Sequence, residues 1–328
     1  MRPGLGGVSL RERPTIKDVI KAQRVIKQYL SKTPLHSYPA LNQIVGTKVW
    51  VKHENHQPVG AFKIRGGINL IANLSEEERE RGVISASTGN HGQSVSYAAN
   101  LFGMEATIGM PEDANPGKVD AIRSLGAEVL FHGKDFDEVR EYVEKLAKQK
   151  GQRYIHSGNE PFLIAGVGTY TLEILCERPE IEIIIVPVGG GSGASGACIV
   201  AKSIDPSIQV IGVQSELAPS AYLSWKSQKL INANMGTAIE GLATRTPFRL
   251  PQSILWDLLD DFVLVSDEDI FHAISLMIEK THNLPEGAGA APLAAALKMK
   301  TRLSQKNVAL VLSGGNLSKK KLRRAMQD

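Results

Sequence analysis

Val83-Ile84-Ser85-Ala86-Ser87-Thr88-Gly89-Asn90-His91-Gly92-Gln93 is the stretch on which the reading of this chain turns. A short, largely apolar run gives way to a cluster of Ser, Thr, Gly and Asn, and a helical pattern then begins. Val83 to Ser87 is predicted as a strand and His91 to Phe102 as a helix. The rhythm continues downstream with Ala106 to Met110 as strand, Pro116 to Leu125 as helix and Glu128 to Phe131 as strand. Phe136 to Lys150 follows as helix and Tyr154 to His156 as strand. Pro116 sits in the first turn of its helix and Gly126 just past the end, where each is favoured. Strands alternating with helices of about ten to fifteen residues predict βαβ units and a parallel sheet.

The pattern extends both ways. Upstream, Thr15 precedes Ile16, Val19, Ile20, Val25 and Ile26 at helical spacing, with Asp18 placed to complete a capping box. Lys48 to Lys52 is predicted as a strand, and a turn through Gln57, Pro58 and Gly60 leads into a helix near Phe62 to Leu74. Downstream, a second series runs from the strand Ile183 to Val188 through a glycine-rich turn and a helix to about Ser203. Strands follow at Gln209 to Gln214, near Phe262 to Val265 and at Val308 to Leu312, with helices after Asp267 and around Ala288 to Lys300. The expected fold class is α/β with two parallel-sheet lobes. Residues 1–52 and 156–328 form the larger, and 53–155 form a smaller one inserted in it.

Composition agrees. A chain of 328 residues fits about two domains. Apolar residues at 42% and charged residues at 22% supply a core, which excludes a disordered, coiled-coil or collagen-like chain. The net charge of +4 is scattered, so no nucleic acid partner is expected. Lys319 to Arg324 holds five basic residues in six, which suits the negative end of a last helix better than a nucleic-acid patch. Two cysteines without a C-x-x-C or Cys/His cluster point to a reducing, cytoplasmic setting and to no metal. No apolar run spans a membrane, and no signal peptide is visible before Pro14.

Ligands of open α/β sheets bind beyond the carboxyl ends of strands, and four such junctions are unusual here. In Gly60-Ala61-Phe62-Lys63-Ile64-Arg65-Gly66-Gly67, Lys63 stands among small and apolar residues. A lysine is by default a surface residue, but a desolvated one loses its proton easily and becomes an imine-forming nucleophile. Ser87 to Gln93 opens a helix with hydroxyls and backbone amides, a setting for a carboxylate. His91 alone also fits a satisfied buried histidine. Gly189-Gly190-Gly191-Ser192-Gly193 lies between an apolar strand and a helix, as a phosphate cradle does. Ser313-Gly314-Gly315-Asn316 ends a buried strand and alone is a turn. Together they suggest a phosphorylated aldehyde cofactor, pyridoxal 5'-phosphate, and a small-molecule amino-acid substrate. A rival exists, since Gly191 to Gly196 is formally G-x-G-x-x-G with Glu216 beyond it, the pattern of dinucleotide binding. That reading leaves Lys63 and the 87–93 loop unused.

These residues resemble the fold-type II pyridoxal-phosphate enzymes, which share the tryptophan synthase β-like fold, and within them the threonine/serine dehydratase (ammonia-lyase) and serine racemase group. The resemblance runs from Thr33-Pro34-Leu35 through Lys52-His53-Glu54-Asn55 to Ser313-Gly314-Gly315-Asn316. It implies Lys63 as the Schiff-base lysine and catalytic base, with Phe62 packed against the cofactor ring. Asn90 is implied as partner of the cofactor's phenolic oxygen. Gly189, Gly190, Gly191, Ser192 and Gly193 are implied around its phosphate, and Ser313 at its pyridine nitrogen. Ser87, Thr88, Gly89, Asn90 and His91 are implied at the substrate carboxylate. A serine at the ring nitrogen offers a hydrogen bond without charge, which favours prompt loss of a β-hydroxyl over transamination. Lys63-Ile64-Arg65-Gly66 sides with dehydratases rather than with the Lys-Asp-Arg of threonine and cysteine synthases.

The expected reaction is elimination of water and ammonia from a β-hydroxy amino acid, L-threonine or L-serine, giving a 2-keto acid. Alternatives are serine racemase, a dehydratase for 3-hydroxyaspartate, phenylserine or a hydroxyectoine-derived substrate, and a non-catalytic ligand-binding protein. A homodimer is implied by the resemblance alone. Departures from the family pattern are Ala61 for Ser, Ser192-Gly193 for Gly and a bulky residue, Glu240-Gly241 for Asp-Gly and Glu286-Gly287 for Glu-Pro. Gln214 and Ser220 stand where some members place cation-binding carboxylates. Ser313 lies 15 residues from the end, so no appended regulatory domain is expected.

Overall fold

The computed structural model describes residues 13–87, 89–134 and 136–327. Two sheets organise the chain. The larger has six strands in the order β1-β2-β10-β7-β8-β9. These are β1 Leu35–Ser37, β2 Lys48–His53, β7 Ile183–Pro187, β8 Gln209–Ser215, β9 Asp261–Val265 and β10 Asn307–Leu312. Only β1 runs antiparallel to its neighbour. The smaller sheet is all parallel in the order β5-β4-β3-β6, from β3 Val83–Ala86, β4 Ala106–Met110, β5 Glu128–Phe131 and β6 Arg153–Tyr154.

Parallel strands covered by helices on both faces read as unbroken apolar runs. In β7, Ile184 and Val186 enter one core while Ile183 and Ile185 enter the other. In β10, Ala309 and Val311 take the first side, and Val308, Leu310 and Leu312 take the second. Alternation sets the side of each residue, and both sides are buried.

The first helix, Ile16–Ile26, has the anticipated start: Asp18 Oδ2 accepts from the Thr15 backbone N–H at 2.9 Å. Two helices carry no readable apolar periodicity. Pro161–Glu177 is buried along almost its whole circumference, so the 3.6-residue contrast that betrays a surface helix is missing. Glu76–Arg81 is short and exposed, marked only by its Ser75–Glu78 capping box. Among the described residues no helix is long and apolar enough to cross a membrane.

The segments that follow β2 and β10 are tied by one strap. Phe62 donates its backbone N–H to the Ser313 carbonyl at 2.9 Å, Gly315 to the Gly60 carbonyl at 2.9 Å, and Ala61 bridges Gly314. Residues some 250 positions apart therefore share one corner.

Candidate active site

Lys63 opens the helix Lys63–Ala72, directly after Phe62. Its Nζ lies 5.1 Å from the centre of the Phe62 ring and donates a long hydrogen bond, 3.4 Å, to Ser192 Oγ. Burial pushes the ammonium pKa down to about 8, against an upward pull from the Glu286 carboxylate. The amine is thus close to losing its proton near neutrality. Phe62 meets Tyr170 edge-on at 6.1 Å, and the Tyr170 hydroxyl donates to the Gly193 carbonyl at 2.8 Å. Lys63, Phe62, Ser192 and Gly193 therefore form one packed group.

The glycine-rich segment runs from the end of β7 into the helix Ser192–Ile204. A Cβ on Gly189 would lie 2.1 Å from the Gly241 carbonyl oxygen, and Gly191 adopts a left-handed φ of +85°. No other residue type fits there without moving backbone. Gly190 lies against the Phe248 ring. The last glycine of the apparent dinucleotide motif, Gly196, has another job: it lets this helix touch Gly168 of Pro161–Glu177.

The loop after β3 enters the helix Asn90–Leu101. Thr88 lies outside the described residues. Ser87 Oγ accepts from the backbone N–H groups of Gly89 at 3.2 Å and Gly92 at 2.9 Å, so only its O–H remains to give. His91 is buried, and burial together with the Lys63 cation drives its pKa down to about 3. Neither of its ring nitrogens has a well-aligned hydrogen-bond partner among the described residues. Asn90 donates from Nδ2 to Glu286 Oε1 at 2.7 Å and accepts at Oδ1 from Asn316 Nδ2 at 2.8 Å. Ser313 is buried at the end of β10, its carbonyl holding Phe62 in place.

Beneath Lys63 lies a cluster that sequence patterns missed. Arg65 is fully buried, and its guanidinium meets Glu54 at 2.7 and 2.9 Å and Glu173 at 2.7 and 2.8 Å. Lys52 Nζ, also fully buried, reaches Glu173 Oε2 at 2.6 Å and the Thr33 carbonyl at 2.8 Å. Two cations and two anions close the account inside the protein. The only sequence signal for it was a set of charges flanking apolar residues, which by default reads as surface.

Glu240, the residue that departs from Asp-Gly, is held in ion pairs. Lys118 and Lys321 both pair with it, Lys321 at 2.7 Å. Burial works against its ionisation, but the two lysines hold its carboxyl below the usual range. Lys321 belongs to the helix Lys319–Ala325, so one charge of the basic C-terminal run is committed to this contact rather than simply solvated. Among the described residues no group of His, Cys, Asp and Glu is arranged to hold a metal ion.

The residues present suit a phosphorylated aldehyde. An easily deprotonated amine stands within 3.4 Å of a serine at a glycine-rich helix start, so a group able to join an aldehyde adjoins a helix end able to hold an anion. Fold and site thus define an α/β enzyme built to hold such a group. The chain matches the pyridoxal-phosphate dependent enzyme family over residues 26–314 and belongs to it. It is 41% identical over 304 residues, 92% of this chain and 76% of the relative, to the L-threonine ammonia-lyase of Thermotoga maritima. The processed form of threonine deaminase isoform 2 from Solanum lycopersicum superposes with a TM-score of 0.91 at 31% identity, covering 99% of this chain and 95% of that one. Maize serine racemase superposes at 0.90 with 32% identity, covering 95% and 97%. Pyridoxal phosphate is therefore the cofactor, and the dinucleotide reading falls.

Proposed function

We propose that this protein is an ammonia-lyase that removes water and ammonia from a β-hydroxy amino acid, L-threonine or L-serine, leaving a 2-keto acid. The observation that carries this is Lys63: a part-buried amine, without a carboxylate in ion-pair contact among the described residues, beside Ser192 at the start of the glycine-rich helix. The likeness to a threonine ammonia-lyase and a threonine deaminase supports the substrate class.

Pyridoxal phosphate, when bound, supplies an aldehyde that joins an amine and a ring that draws electrons from the Cα–H bond. The remaining work falls to the chain. Lys63 would hold the aldehyde of the cofactor and, as a free amine, would take the substrate's α-proton. The amides of Gly189 to Gly193 and the Ser192 hydroxyl hold phosphate at the positive end of their helix. The Ser87 O–H and the first-turn amides of Asn90 and His91 orient the substrate carboxylate, with Thr88 and Gly89 completing the loop. Asn90 would donate to the cofactor's phenolic oxygen, Phe62 would pack on its ring and Ser313 would meet its ring nitrogen. A neutral His91 adds no competing charge. The unit is organised as a large lobe of residues 1–52 and 156–328 with 53–155 as a smaller lobe, working in the cytoplasm as a homodimer.

A second reading, serine racemase, is favoured by the superposition on the maize enzyme. The test offers the purified holoprotein threonine, serine, 3-hydroxyaspartate and phenylserine, measuring ammonia and keto acid together with the chirality of remaining serine. Keto acid from threonine or serine is expected. D-serine without keto acid would establish the racemase instead, and neither product from any substrate would leave a ligand-binding protein.

A further inference from the structure

Glu286 sits immediately before the helix Gly287–Lys298, and the reaction outlined above gives it no role. It is nonetheless built in tightly. Its backbone N–H donates to the Gly314 carbonyl at 2.9 Å, and its carboxylate lies where a side chain at 314 would go. A Cβ on Gly314 would come within 2.6 Å of Glu286 Oε1. The first glycine of Ser313-Gly314-Gly315-Asn316 is therefore room reserved for a carboxylate. That carboxylate accepts from Asn90 Nδ2 at 2.7 Å.

A carboxamide has two N–H donors and two carbonyl lone pairs. In Asn90 one N–H goes to Glu286, and one lone pair receives Asn316 Nδ2. Asn316 is itself fixed, because its Nδ2 also donates to the Val59 carbonyl at 2.9 Å. Turning the Asn90 amide over would set its oxygen against the Glu286 carboxylate and its nitrogen against Asn316 Nδ2, and both contacts are repulsive. Only one orientation survives, and it leaves one Nδ2–H unspent.

We propose that Glu286 is a positioning residue: with Asn316 opposite, it locks the Asn90 carboxamide so that an N–H, never the carbonyl, faces the phenolic oxygen of pyridoxal phosphate. The inference rests on the reading of Asn90 as the partner of that oxygen. An inverted amide would present a carbonyl to a phenolate, two acceptors with no proton between them. Burial pushes the Glu286 pKa up to about 7, with Asn90 and the cations Lys118 and Lys321 pulling down and Glu240 pushing up, while Lys63 is the other ionisable group that feels its charge. The lock is therefore complete above neutrality and weakens as the carboxyl takes up a proton.

The test uses holoprotein of Glu286→Leu, Glu286→Gln, Asn316→Leu and Asn90→Leu. The visible absorbance of the bound cofactor is titrated with pH, and cofactor affinity is measured by titrating apoprotein with pyridoxal phosphate. A donor to an ionised phenolic oxygen favours that charge, so its loss raises the midpoint of the titration. Glu286→Leu and Asn316→Leu are expected to raise it by about one pH unit and to weaken cofactor binding about tenfold. Glu286→Gln, which still offers an acceptor to Asn90, is expected to recover most of both. Removal of a nearby negative charge alone would move the leucine and glutamine variants together and downward, and that result overturns the proposal. So does an unchanged midpoint in Glu286→Leu and Asn316→Leu when Asn90→Leu shifts it. If Asn90→Leu itself leaves the spectrum unchanged, the placement of Asn90 fails and the proposal with it. Should Glu286→Leu not fold, Asn316→Leu carries the same expectation from the other side of the amide.

Discussion

Lys52 and Lys63 show two ways of placing a lysine away from water. Lys52 is fully buried with Glu173 at 2.6 Å and a backbone carbonyl at 2.8 Å, inside a cluster whose charges cancel. Lys63 has a serine hydroxyl at 3.4 Å, an aromatic ring and, among the described residues, no carboxylate in ion-pair contact. Burial costs both ammonium groups their hydration. The first is compensated by its carboxylate and carbonyl partners. The second is left under-compensated, and its pKa falls to about 8. Eleven positions apart in the chain, the two regions divide the work: charge below the helix Lys63–Ala72 fixes it, and missing charge above it makes its first residue reactive.

The contrast can be broken from the reactive side first. Lys63→Ala is expected to lower ammonia release from threonine more than about 10³-fold, while the apoprotein keeps its denaturant midpoint. Retained turnover would remove Lys63 from the mechanism. The next largest effect comes from the structural side. Glu173→Ala strips Arg65 and Lys52 of a shared carboxylate and leaves buried cations short of partners, so a loss of about 3–5 kcal/mol is expected in denaturant unfolding. A cost below about 1 kcal/mol would mean that the cluster does not hold the helix.

The smallest effect sharpens the comparison. Only the neutral amine attacks an aldehyde, so capture of pyridoxal phosphate by apoprotein should quicken as pH rises and level off above about 8. Below that point the neutral fraction, and with it the rate, changes about tenfold per pH unit. Stopped-flow absorbance between pH 6 and 9 checks this, and a rate still climbing at pH 9 would place Lys63 in an ordinary watery setting.

How far the sequence carried the reading varies with the range of the interaction. Alternating strands and helices, the Thr15–Asp18 cap and the glycine run after β7 are local, because backbone geometry repeats over a few residues and side-chain type follows it. Pro161–Glu177 escaped because a helix buried all round shows no periodic contrast. Lys63, the glycine loop and Ser313 stand out in the sequence as residue types at strand ends, where open α/β sheets bind ligands.

By itself, then, the sequence determined the α/β rhythm and which residues are chemically able to act. The tertiary structure alone decided their partners. Arg65 meets Glu54 and Glu173, Asn90 meets Glu286 and Asn316, and Glu240 meets Lys118 and Lys321. Most of these pairs bring together residues more than a hundred positions apart, and no local pattern records such a pairing. It arises when the strap between Gly60 and Gly315 and the order of strands bring distant chain ends to one corner. Whether a buried charge is structural or reactive depends on that pairing, because burial strips hydration from either and the neighbours decide how much is returned.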